Sequence, residues 1–135
     1  MKIKTSDLVG RVLDWAVATC EGYSDLRVNP HAWDNELIMT PPKIQPRPVY
    51  LFDLDFGANW ALSGPIIDRE KISISCWGIG VPDAYDAFIL RFTDGGVTTY
   101  KGNGKTNLIS AMRCYCCAKL GEEIEIPQEL CNEKE

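Results

Sequence analysis

A single histidine, His31, is all the chain contains, and it sits in a proline-rich stretch with no thiol or second imidazole beside it. A proton shuttle or a paired-histidine metal site is therefore poorly supported, and His31 reads as a solvent-facing loop residue. Long apolar runs are also missing. No segment approaches the roughly 20 apolar residues of a membrane span, and the opening MKIKTSD lacks the apolar run of a secretory signal, so a cytosolic protein without membrane contact is expected. Basic excess is absent too. Fourteen Lys and Arg against 19 Asp and Glu give a net charge of −5, which argues against a duplex nucleic-acid binder while leaving room for a local basic pocket. Without an export signal, the 6 cysteines read as reduced thiols rather than a disulfide framework.

What the chain does hold is enough for one domain. At 135 residues with 45% apolar and 24% charged side chains, residues 1–135 are expected to form a single globular unit with its own core. Thr5 or Ser6 is expected to cap a helix whose apolar stripe is Leu8, Val9, Val12, Leu13, Ala16, Val17 and Cys20, stopped at Gly22. Trp15 lies off that stripe and reads as packing under a neighbouring loop. Residues 23–48 lose periodicity and gather prolines, so they read as a long irregular connection, with Trp33 covering a cavity or contacting a partner protein. Residues 49–56 read as an extended segment, with Asp53 and Asp55 on its wet side or, alternatively, holding magnesium or doing acid-base work.

Further on, alternation predicts a strand over 71–77 with Ile72, Ile74 and Cys76 inside, and a hairpin of strands 85–92 and 97–101 turning at Asp94-Gly95-Gly96. A helix over 108–120, capped by Thr106 or Asn107 and stopped by Gly121, presents Leu108, Met112, Tyr115, Cys116 and Leu120 to the core. Cys114, Cys116 and Cys117 fall on that helix at spacings that suit packing better than zinc, while Cys20 and Cys76 read as core residues and Cys131 as exposed. Residues 122–126 predict a last short strand, and 128–135 an acidic, frayed tail. The resulting fold class is α+β: an antiparallel sheet of about four to five strands with two helices packed on one face, the other face covered by the proline-rich loop or a second subunit. A homo-oligomer is the expectation.

Two stretches invite a chemical reading. GNGKT at 102–106 resembles a phosphate loop, but Thr99 stands where that motif needs its first glycine, and a hairpin context is wrong for it. A weaker anion site remains, made from Gly102, Gly104 and the free N–H groups of the next helix turn. The segment NWALSGPIIDREKISI at 59–74 reads as a bend at Gly64 and Pro65 that brings Trp60 and the pair Arg69 and Glu70 to one surface. There, Trp60, joined by Trp77 or Tyr100, is expected to stack on a base while Arg69 or Arg113 meets phosphate. The bland alternative is a Trp covering a sheet edge, an ordinary surface ion pair and a simple turn.

SDLVGRVLDWAVATCEGY, NWALSGPIIDREKISI and LISAMRCYCCAKLGEEIEIP together resemble the NinX-like family of small phage proteins, in that family's order and over about half the chain. Trp60, Gly64, Pro65, Ile66, Ile67, Asp68, Arg69 and Glu70 match its middle motif, with Ser63 in place of a usual glycine. Leu108, Ile109, Ala111, Met112 and Arg113 match the closing helix, with Ser110 differing, and Lys105 with Thr106 stands where Thr-Pro is common. The resemblance implies a phage accessory protein in the cytoplasm of an infected bacterium, with no assigned enzyme activity. The expectation drawn from it is a non-catalytic sponge for a nucleotide-like host immune signal, without cofactor, since no Ser-His, Cys-His or metal cluster is evident. A protein antagonist of a host defence enzyme is the alternative. A metal-assisted nucleotide hydrolase using Asp53, Asp55 or Asp68 is the third.

Overall fold

In a computed structural model, residues 1–30, 36–42, 47–78, 80–82 and 84–131 are described. His31, Trp33 and the end of the acidic tail lie outside them. The fold is α+β, with eight strands among the described residues, shared by three small antiparallel sheets. β1 (Lys2–Lys4) pairs with β8 (Glu123–Glu125), joining the two ends of the chain. β2 (Ser24–Val28), β3 (Leu37–Thr40) and β4 (Val49–Tyr50) form a second sheet. β5 (Ser73–Cys76), β6 (Tyr85–Thr93) and β7 (Gly96–Gly104) form the third, in that spatial order.

The central element is α3 (Asn107–Leu120), which lies across the β5-β6-β7 sheet on one side and meets α1 (Gly10–Cys20) and α2 (Trp60–Glu70) on the other. Thr106 caps it as expected, its hydroxyl accepting from the Ile109 amide at 3.1 Å, and Gly121 ends it with φ 90°. Because α3 is covered from both sides, Leu108, Ala111, Met112, Cys114, Tyr115 and Cys116 are all buried. That explains the cysteine triplet: Cys114 and Cys116 fill space, all 6 thiols are free, and burial pushes Cys114 up to about 12. Two other cysteines depart from expectation: Cys76 is exposed, and Cys131 is partly buried at the end of α4 (Gln128–Cys131).

Several local expectations are corrected. Thr5 does not cap α1; it is buried and its hydroxyl donates to Gly121 O at 3.0 Å and Glu122 O at 3.2 Å, riveting the two ends of the chain. Residues Thr5–Asp7 form a 3-10 turn, α1 begins only at Gly10, and Val9 is exposed. The proline-rich region contains β2 and β3, a hairpin the missing periodicity concealed. After β4, Leu51–Asp53 is another 3-10 turn rather than a strand.

The largest departure is α2, where turn chemistry at Gly64 and Pro65 predicts a bend. Leu62, Ser63, Ile66, Ile67 and Glu70 recur at spacings of three and four and face inward, so the segment is an amphipathic helix. Asn59 starts it, its side chain accepting from the Ala61 amide at 2.9 Å, and Lys71 ends it at φ 58°. Pro65 sacrifices one helical hydrogen bond, and burial of Ile66 with the Ser63 hydroxyl bonded to Phe56 O at 2.5 Å outweighs that loss.

Candidate functional site

A helix over residues 60–70 separates what a bend would have joined. Trp60 and Arg69 stand about 13 Å apart along the axis and on opposite sides of it. The eight residues expected to form one site are accordingly distributed over several places. Gly64 and Pro65 lie on α2, where a Cβ at Gly64 would meet nothing within 4 Å, so no close approach requires glycine there.

Arg69 belongs to an ionic network. Its guanidinium donates to Glu21 Oε2 at 2.6 Å, to Glu70 Oε2 at 2.9 Å and to the Tyr115 hydroxyl at 3.1 Å, while Tyr115 donates to Glu21 Oε2 at 2.5 Å. Glu70 also faces Arg91 at 3.6 Å and Lys119 at 4.0 Å. Burial pushes the Glu21 carboxyl up, but hydrogen bonds from Arg69 and Tyr115 outweigh this and hold it below its usual range. These bonds tie α2 to the end of α1 and to α3. Arg69→Met should therefore cost stability, roughly 1 to 3 kcal/mol, because Glu21 and buried Tyr115 lose their donor. The loss should be present at neutral pH and shrink as Glu21 protonates in acid, which thermal melts of the two proteins between pH 3 and pH 7 would read. An equal deficit at every pH would show that packing, not charge, is what Arg69 supplies.

Arg113 is likewise engaged: its Nε donates to Leu8 O at 2.7 Å and its Nη1 to Asn103 O at 2.8 Å, clamping the segment before α1 against β7. Trp77 is exposed, with its indole N–H donating to Asp86 Oδ2 at 2.5 Å. Tyr100 is half-buried on β7 beneath Arg91, whose guanidinium carbon is 5.9 Å from the ring centroid. Gly102 and Gly104 do not form a free loop. They belong to β7, paired with Ala87 and Tyr85.

Trp60 itself keeps a site-like setting, with partners other than those expected. With 54% of its surface exposed, it borders a recess of about 350 Å³ together with Tyr85, Gly57, Thr106, Asn107 and Leu108. Two aromatic rings thus stand beside the first turn of α3. Asn107 and Leu108 there carry backbone N–H groups for which a helix offers no acceptor, at the positive end of its dipole. The size falls in the range of small-molecule sites.

Beneath the recess lies Asp14, which the spacing of the motifs does not mark. Asp14 on α1 is only 8% exposed and accepts from the Gly57 amide at 3.3 Å, holding the segment that leads into α2. Burial is the main reason its carboxyl is pushed up to about 7; the amides of Gly57 and Phe56 oppose this and the Asp55 carboxylate adds to it. The available signal was an acid among Leu13, Val17 and Ala18 on the apolar side of a helix. Nothing in sequence spacing pairs Tyr85 with Trp60, because their meeting depends on how α2 and β6 flank α3.

Among the described residues, no group of three or more His, Cys, Asp or Glu is placed to hold a metal ion, and no helix is long and apolar enough to cross a membrane. Asp53 ends a 3-10 turn and Asp68 lies on α2. No curated protein matches the chain. A family model described as Bacteriophage P22, NinX matches residues 4–119, taking in α1, α2 and all but the last residue of α3 with everything between them. With most of its length so matched, the chain belongs to the NinX family of bacteriophage P22.

Proposed function

We propose that this phage protein is a non-catalytic binder of a small nucleotide-like anion, and that in the cytoplasm of an infected host it sequesters an immune signal of that chemistry. The observation that carries the reading is the shared recess of Trp60, Tyr85 and the first turn of α3. A base stacks on the exposed indole, and phosphate oxygens accept from the amides of Asn107 and Leu108. Arg69 and Arg113, whose donors serve Glu21, Glu70 and backbone carbonyls, act as scaffold. Binding without turnover suits a recess whose lining side chains are aromatic, aliphatic, hydroxyl and amide groups, with no general base poised over a nucleophile.

A thermal-shift screen of cyclic and linear nucleotides tests the reading. One compound should raise Tm by several degrees and be recovered unchanged after denaturation. Trp60→Ala should weaken that binding by about 5- to 150-fold, the equivalent of roughly 1 to 3 kcal/mol of stacking, with the unliganded Tm unaltered. Absence of any shift, or recovery of a converted compound, would remove the sponge. The second reading, a protein antagonist of a host defence enzyme, draws support from the sheet face turned away from α3, where Leu90 and Val97 are each 54% exposed and Phe92 79%.

A further inference from the structure

Among the described residues, no strand pairs with the outer side of the third sheet's last strand. Among the described residues β7 pairs with β6 alone, and the two are joined by a two-residue turn whose closing pair is Thr93 and Gly96. In such a hairpin the closing pair is hydrogen-bonded, and hydrogen-bonded residues then alternate along the ladder. Gly96, Thr98, Tyr100, Gly102 and Gly104 therefore bond inward to β6, whereas Val97, Thr99, Lys101 and Asn103 turn their N–H and C=O outward. Within the outward set, Asn103 O accepts from Arg113. Alongside residues 98–101 runs a groove of about 810 Å³, walled on its far side by Lys4, Ser6 and Glu122.

The side chains of Val97, Thr99 and Lys101 point to the sheet face opposite α3, since Gly102 and Gly104 are the residues pressed against that helix. On this face Phe92 stands opposite Val97, Leu90 opposite Thr99 and Phe88 opposite Lys101. The row beginning at Phe92 and Val97 is apolar and uncovered. The row ending at Lys101 carries a charge.

We propose that the outer edge of β7 takes an extended peptide of a partner protein by strand addition, with an apolar side chain set beside Val97 and an acidic one beside Lys101. The main-chain groups of Val97, Thr99 and Lys101 supply the pairing. The apolar residue extends the row from Phe92, the acid meets the ammonium, and their spacing along the added strand is four residues. This surface is separate from the Trp60 recess.

The probe is a displayed library of random heptapeptides selected on the wild-type chain. Enriched sequences should carry an apolar and an acidic residue four apart, and their binding should slow amide exchange at Thr99 and Lys101. Thr99→Pro deletes an outward N–H and projects a ring into the groove, yet spares the inner ladder, so it should lose these peptides at least tenfold while Thr98 and Tyr100 amides stay protected. Lys101→Glu should turn the selected acid into a base, and this variant decides the matter if the proline variant folds poorly. Trp60→Ala should bind the same peptides normally. The proposal fails if no sequence enriches, if Thr99→Pro binds equally, if Lys101→Glu leaves the charge preference unchanged, or if Thr99 and Lys101 amides are already protected in the free protein.

Discussion

Gly102→Ala should prevent stable folding, a loss above about 4 kcal/mol. A Cβ at Gly102 would lie 2.2 Å from Ser110 O, 2.5 Å from Cys114 N and 2.9 Å from Cys114 Cβ. The two nearest are backbone atoms of α3 and cannot swing aside. Relief would mean lifting the central helix off the sheet, which opens the contact that buries Ala87, Cys114 and Ile89. Gly104→Ala should be milder, because its closest neighbour is the Ile109 Cγ2 methyl at 2.7 Å and the nearest backbone atom, Ser110 N, is 3.1 Å away rather than 2.2 Å. Gly64→Ala supplies the control. In a helix with open space around it, alanine should match or improve stability by roughly 0.5 to 1 kcal/mol. Circular dichroism and urea melts on the three variants would rank them, and equal tolerance at Gly102 and Gly64 would contradict the close packing of β7 on α3.

Asp14→Asn should stabilise the protein above pH 7 and leave it nearly unchanged at pH 4. The folded carboxyl is pushed up to about 7 by burial, whereas in the unfolded chain it ionises near the ordinary value of about 4. Between those limits the folded state holds a proton that the unfolded state has released, so the group's contribution falls as pH rises and is lost above the folded value. Ionisation of buried Asp14 then costs the wild type about 4 kcal/mol at most, a ceiling set by about 1.4 kcal/mol per tenfold change in a proton equilibrium. Asparagine keeps the oxygen that receives the Gly57 amide and never ionises, so its melting temperature should exceed the wild type by several degrees at pH 8. Glu21, whose folded carboxyl sits below its usual range, has the opposite sign, with stability lost as pH falls in acid. The difference between the two proteins at each pH isolates Asp14 from it. A variant less stable at every pH would show that the carboxyl is not desolvated as described. Because the same side chain lies behind Gly57 at the Trp60 recess, its negative charge should repel an anionic ligand, so binding should weaken in wild type above pH 7 and hold in the variant.

How far the candidate site was legible follows from these residues. Trp60 was singled out for its chemistry, and it does border a recess, but the partners assigned to it were drawn from a bend that is a helix. Gly64 and Pro65 misled because turn chemistry is a local signal, and the burial of Ile66 and Ser63 is a tertiary one that overrode it. Arg69 and Arg113 looked available because a sequence does not show which carboxylates and carbonyls will consume their donors. Glu21 is 48 residues from Arg69, and Leu8 is 105 from Arg113. The glycines of GNGKT were read as a loop for anions, whereas their lack of a side chain lets a strand and a helix touch.

By itself, the sequence determined what depends on periodicity and local chemistry: the α+β class, the β6-β7 hairpin, α3 with its Thr106 cap and Gly121 stop, and the family resemblance carried by contiguous motifs. Those features are set by residues within a few positions of each other, where sterics and hydrogen bonding act without distant partners. Tertiary structure decided the rest: that α2 is a helix, that the sheet residues divide among three ladders, that Thr5 rivets the ends rather than capping α1, and that Tyr85 borders the Trp60 recess while Asp14 holds Gly57 beside it. Each of these turns on burial against an element far along the chain. Burial free energy depends on which surfaces meet, and that is a property of the packed molecule.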